Sequence, residues 1–457
     1  MEQEAKNLVT ETPLGLAAEK PAVIKNYSAA VLKLLLFSVF GVLFFFAPLF
    51  DGSTPLLFSI SAVKSLMGNG LYGLAVLVTV ALLAVTPLVK KIPFLNEYLG
   101  KDGVVTKILY LLGSIFGILV FFNIGPEFLL NADTGGLALS LAGSVLLTVL
   151  LAGFIVTFIA NFGLLQFIGT LLEPLMRPLY RLPGYAAVDA ATSIACSAAV
   201  DVFLANKIYL NRLYTKRDVA VVASNFTICS LGFFLVLCDI AGIPEYYNTV
   251  VLVSFLISFI MPIITVRIPP LSRIPNEYVD GAPFIADSVK KDSRNLIKRA
   301  WDSAVETADQ ASPKIIAQGL LESAIFSIKV CAYVLSIATL SLIIGVYTPF
   351  FQWLGVPIAP LLKLFAIPNA AEIAPSVLVG ITEIAMPALL IAGQNVAPAA
   401  AFFVVVLSTV QVIFFTESAN AIMESDIPLN FSKLIVIFLL RTIIAIPMVA
   451  LAMHLIF

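Results

Sequence analysis

Histidine is nearly absent from this 457-residue chain, and charged residues make up only 12% of it. The one histidine, His454, stands at the C-terminal end, which removes His-based metal sites and Ser-His triads from consideration. The four cysteines, Cys196, Cys229, Cys238 and Cys331, lie in apolar runs without C-x-x-C spacing; they read as small hydrophobes, not as a zinc site or a disulfide framework. No G-x-x-x-x-G-K-S/T loop, H-E-x-x-H or G-x-S-x-G word occurs, so neither an attached NTPase nor a hydrolase is indicated, and no cofactor is implied. The net charge is −1 and no basic cluster is interleaved with stacking aromatics, which argues against a nucleic-acid partner. The first residues are polar and mixed in charge, without a basic segment leading into a short apolar core and cleavage site, and read as a cytoplasmic tail.

What is present is apolar. Hydrophobic residues reach 60%, and a typical soluble domain carries about 25% charged residues, so the expected class is an all-α polytopic membrane protein in contact with a lipid bilayer. With about 20 residues per crossing, nine full spans are expected near 29–50, 70–89, 107–130, 137–163, 218–240, 248–267, 324–347, 396–416 and 433–455. Two further stretches, 184–206 and 369–394, are long enough to cross but are interrupted by polar and small residues. Charge decides how those two behave. Arg177 and Arg181 precede 184–206, and Lys207, Arg212, Lys216 and Arg217 follow it; basic residues favour the cytoplasmic side, and a single crossing cannot begin and end on one side. A re-entrant hairpin resolves the conflict, with its tip near residues 195–198. The same count places the N-terminus inside and leaves only Lys64 and Lys363 of 27 basic residues outside. The expected location is a bacterial inner membrane.

Once the hairpins are drawn, an internal repeat appears. After an N-terminal tail and three spans (1–136), a first unit (137–267) runs span, amphipathic segment, hairpin, span, span. A second unit (324–457) repeats that order, and AAVDAATS (186–193) matches AAEIAPS (370–376). The units enter from opposite sides, an inverted repeat of the kind secondary transporters use. The link 268–323 contains NLIKRAWDSAVETADQ (295–310), with Leu296, Ala300, Ala304 and Val305 on one face; this predicts a helix on the cytoplasmic surface joining the halves.

The hairpins and the spans after them carry the polar residues. In VGITEIAMPALLIAG (379–393), Gly380 permits a turn, and Thr382 and Glu383 fall in the first turn of the returning half-helix, where exposed amides and the dipole favour a carboxylate. Asp201 is the matching acid of the first hairpin, or else a partner of Lys207; Asp189 and Glu372 open their hairpins and read as caps. The following spans contain SNFTICS (224–230) and LSTVQVIFFTES (407–418). Asn225, Thr227, Ser230, Ser408, Thr409 and Gln411 offer neutral donors and acceptors, although Ser and Thr can also bond their own helix. Arg441 is expected to pair with an acid such as Glu417.

GITEIAMPALL and SNFTICS, with this layout, resemble the gate domain shared by concentrative nucleoside transporters and the FeoB iron transporter; the whole chain is most similar to the YjiH family of bacterial inner membrane proteins. The two words sit in opposite halves from where the nucleoside carriers have them, so the likeness is of repeat type. It implies that Thr382, Glu383, Asn225 and Thr227 contact substrate, and Gln411 and Ser408 join them. Ser197, Asp201, Ser230 and Thr409 are the candidates for a coupling sodium ion or proton. The expected function is secondary active transport of a small polar organic solute by a chain that can form a homo-oligomer. The alternative is a gate-like channel or assembly subunit.

Overall fold

The computed structural model describes residues 26–49, 54–100, 102–195, 197–228, 231–284, 295–312, 314–392 and 394–457. Among these residues every regular element is helical. Seven helical stretches are long and apolar enough to cross a membrane: Tyr27–Phe46, Asn69–Leu88, Val104–Phe121, Glu127–Asn161, Pro244–Thr265, Lys314–Tyr347 and Phe431–Ile456. Their outer faces keep large apolar side chains such as Leu32, Leu36, Ile443 and Leu451 exposed, as a surface solvated by lipid tails requires.

In chain order, α1 (Tyr27–Phe46), α2 (Asn69–Val85) and α3 (Val104–Phe121) precede the first repeat. That repeat comprises α4 (Leu137–Asn161), α5 (Leu164–Tyr180), the hairpin α6 (Ala186–Ala195) and α7 (Ala198–Leu210), then α8 (Lys216–Asn225), α9 (Leu231–Ile240) and α10 (Tyr247–Thr265). The linker helix α11 (Leu296–Gln310) follows. The second repeat comprises α12 (Lys314–Tyr333) continuing into α13 (Thr339–Tyr347), the hairpin with α14 (Ser376–Val379) and α15 (Met386–Ile391), then α16 (Pro398–Gln411), α17 (Ser418–Glu424) and α18 (Phe431–Ile456). In each hairpin the two arms pack against each other.

The first helices of the two repeats, α4 and α12, form the largest helix pair of the molecule. Both adjoin a π-helical turn, at Ala132–Gly136 and Val334–Ala338. They cross where small residues let the backbones approach: a Cβ on Gly319 would lie 2.1 Å from the Thr157 hydroxyl, and one on Gly153 would lie 2.9 Å from Ser323 Cβ. Close crossing at small residues is how helices associate without a hydrophobic driving force between them.

Three of the nine expected spans are not continuous: the one at 107–130 ends at Phe121 and helix resumes at Glu127, and the two with polar centres break as well. The helix α8 begins at a capping box, with the Asp218 amide donating to Thr215 Oγ1 at 3.2 Å and the Thr215 amide to Asp218 Oδ2 at 3.0 Å, but it ends at Asn225 and the chain resumes as α9 at Leu231. Likewise α16 stops at Gln411, where Val412 takes a left-handed φ of +54°, and the chain runs extended to α17. The polar centres noted in the sequence are helix breaks. The linker helix α11 buries Ala300, Ala304, Val305, Thr307 and Ala308, close to the expected face. It packs on α1 and α5, both on the N-terminal side of the link.

Candidate functional site

The two hairpin tips and the second break meet at one small cavity of ≈ 90 Å³. Ser197 and Ala198 come from the first hairpin, Glu383 and Ile384 from the second, and Phe414, Thr416 and Glu417 from the extended segment between α16 and α17. Phe233 and two residues of α4, Leu141 and Val145, complete an otherwise apolar wall.

Backbone pairing holds the second tip in place. The Phe415 amide donates to Ile381 O at 2.8 Å and the Thr416 amide to Thr382 O at 3.2 Å, so the extended segment lies alongside the tip. The Glu383 carboxylate accepts from the Thr416 hydroxyl through Oε2 and from the Ala385 amide through Oε1 at 3.3 Å. It is 4% exposed and faces the cavity. The other tip is tied to the same segment from the opposite side, because the Ala199 amide donates to Glu417 Oε1 at 3.0 Å. Two carboxylates from one sequence segment and one hairpin therefore face a mostly apolar space, an arrangement able to accept hydrogen bonds from solute hydroxyl or amino groups or to bind a cation.

Gly380 stands in the expected turn, but the turn does not demand glycine there. Its φ is −55°; what requires glycine is the neighbour, since a Cβ there would lie 2.7 Å from Gln411 Oε1. Gln411 itself donates to Val377 O and to Thr442 Oγ1, both at 2.8 Å, and so braces the second hairpin.

Arg441 does not pair with Glu417. Fully buried in α18, it donates to Gln411 O at 3.0 Å, Val410 O at 2.6 Å and Asn225 Oδ1 at 2.5 Å. Its guanidinium thus sits at the C-terminal ends of both interrupted helices, α8 and α16, where carbonyls left without intrahelical partners and the negative dipole ends favour a cation. Asn225 Oδ1 also accepts from Thr265 at 2.7 Å. This residue and Gln411 belong to one buried network that joins the two breaks.

The remaining expected residues are dispersed around this core. Glu383 and Ser197 line the cavity, and Thr382 lies at the tip with its hydroxyl donated to Val379 O at 2.8 Å. Thr227, Ser408 and Thr409 donate to their own helix or its end, at Ala223 O, Val405 O and Val406 O, and Thr409 shares a 2.8 Å contact with Ser254. Asp201 is fully buried away from the cavity lining, and Lys207 bonds Glu322 at 2.9 Å. Ser230 lies outside the described residues. Thr416 and Glu417 are the lining residues that sequence reasoning omits. The word FFTES contains them, but a span read as ending at 416 places them at a membrane boundary.

The described chain is a multi-pass membrane protein in which re-entrant hairpins and interrupted helices meet at a buried cavity, and broken helices at a central site are a feature that many secondary transporters share. Residues 142–244, covering α4 to the second half of the first broken span, match the Gate family, described as nucleoside recognition. An uncharacterized protein of Alkalihalophilus pseudofirmus is 34% identical over 352 residues, 76% of this chain and 75% of that protein, and the chain belongs to its family. Among solved structures, a double variant of CNTnw in an outward-facing state is similar over 93% of this chain and 99% of that one, with a TM-score of 0.42 and 14% identity.

Proposed function

We propose that the chain is a secondary active transporter of a small polar organic solute, nucleoside-like or of amino acid or dipeptide type, coupled to a sodium ion or proton. The observation that carries this reading is the cavity shared by both hairpin tips, with Glu383 and Glu417 facing it. The Gate match over 142–244, with its description of nucleoside recognition, supports a solute of that kind. In this reading Glu383 and Glu417 bind the solute, Thr382 and Gln411 fix the second tip, and Asn225 and Arg441 tie the broken helices together. Alternating access follows when one repeat rocks against the other around the fixed site. The protein works in a bacterial inner membrane with its N-terminus in the cytoplasm, as a carrier and not as an enzyme. Uptake into proteoliposomes across a panel of nucleosides, amino acids and dipeptides tests the reading, with inward sodium, inward proton or no gradient. Accumulation above equilibrium under one gradient is expected. Equal uptake under all three conditions would reduce the chain to a facilitator, and no uptake of any solute would remove the carrier reading.

A further inference from the structure

Behind the first hairpin tip lies a second set of acidic side chains that the cavity does not use. Asp189 on α6 and Asp201 on α7 are both fully buried. Neither oxygen of Asp201 has a hydrogen-bond partner among the described residues, and Asp189 Oδ1 has none. Only Asp189 Oδ2 is engaged, accepting from the hydroxyl of Tyr214, which is itself fully buried. The two helices pack together, and the two carboxyl groups and the tyrosine lie within electrostatic reach of one another.

An ionised carboxylate at this burial, without a partner, is strongly unfavourable, and two of them near each other are more so. Apart from Arg217, the basic side chains of the surrounding elements are engaged elsewhere. Lys207 bonds Glu322 at 2.9 Å, Arg212 bonds Asp280 at 3.1 Å, and Lys216 bonds Glu277 at 2.5 Å. On α5, Arg177 pairs with Glu173; on α1, Lys33 donates to Ala311 O at 2.8 Å. On α8, Arg217 keeps a buried Nε without a hydrogen-bond partner and acts electrostatically on its neighbour Asp218, whose carboxylate accepts the Thr215 amide. On α17, Glu424 is held by Lys329 at 2.5 Å, and α4 has no titratable side chain. Among the described residues no basic side chain bonds either carboxylate, which leaves a proton or a cation from outside to neutralise them. A metal ion of the hard type takes about six or more oxygen ligands, and among the described residues no group of three or more acidic, histidine or cysteine side chains gathers to hold one. A proton needs only a carboxyl group: placed on Asp201, it removes a buried charge that has no partner.

We propose that Asp189 and Asp201, with Tyr214, form a proton-binding site buried behind the tip of the first hairpin. Asp201 stands one helical turn from Ser197, which lines the cavity, so a role in coupling rests on the carrier reading above, while proton binding itself does not. The test is infrared difference spectroscopy on the full chain in lipid nanodiscs with no solute present, read at the carbonyl stretch of protonated carboxyl groups. At neutral pH the wild type minus Asp201→Asn spectrum should contain such a band, and it should be unchanged when sodium chloride replaces choline chloride. Identical spectra for wild type and variant would overturn the proposal, as would loss of the band on adding sodium, which would mark a sodium site instead. Should Asp201→Asn not fold, Tyr214→Phe reads the same pair: removal of the hydroxyl from Asp189 should shift the band, and an unshifted band overturns the proposal. A chain that transports nothing can still show this band, and a transporter can lack it, so the outcome is separable from that of the uptake experiment.

Discussion

Glu383 has both carboxylate oxygens engaged within the protein and still faces the cavity, which makes a solute ligand and a local brace distinguishable by experiment. As a ligand it makes charge-assisted hydrogen bonds worth about 1.5–3 kcal/mol. Glu383→Gln keeps the size and loses the charge, so solute affinity should fall roughly tenfold to a hundredfold with little change in melting temperature. A brace alone predicts lowered stability with intact affinity, and binding measured beside melting on one purified variant separates them. Arg441 predicts the opposite pattern. Arg441→Met leaves the Val410 carbonyl without its donor and Gln411 O with only the Ile413 amide, and an orphaned buried acceptor costs about 1–3 kcal/mol; stability should fall well before any solute effect is read. If the melting temperature of Arg441→Met matched wild type, the guanidinium would not be tying the two breaks together.

At the scale of elements, the sequence makes the hairpins legible because charge conflicts with a single crossing at 184–206, and because Gly, Glu and Pro crowd one apolar run at 379–393. The helix breaks are less legible. Neither SNFTICS nor VQVIFFTES contains a glycine or proline, and the second break turns on Val412 in a left-handed conformation, which a β-branched residue rarely takes and which no local rule anticipates. Polarity marks the breaks, since Asn225 and Gln411 stand at their first residues, but the partner that satisfies them comes from α18, far along the chain. For the same reason Arg441 reads from sequence as an ion-pair former while its partners are neutral oxygens. The α4–α12 crossing is also open to test. Gly319 has no room for a side chain beside Thr157, and overpacking costs typically about 1–3 kcal/mol; Gly319→Leu should lower the melting temperature, whereas the exposed Leu320→Ala should not. Equal stability of the two variants would mean that the crossing is loose.

Across the molecule, the proposed transport requires that the cavity between the tips open in turn to each side of the membrane. The first hairpin reaches it through Ser197 and the second through Ile384. The most direct measurement replaces each of these with cysteine, in a background whose four native cysteines are changed to serine or alanine. Reconstituted protein is then exposed to a membrane-impermeant thiol reagent from one side at a time. Both positions should react from either side, and a solute found in the uptake panel should slow the reaction from both. Labelling confined to a single side at both positions, unaffected by solute, would contradict alternating access at this cavity.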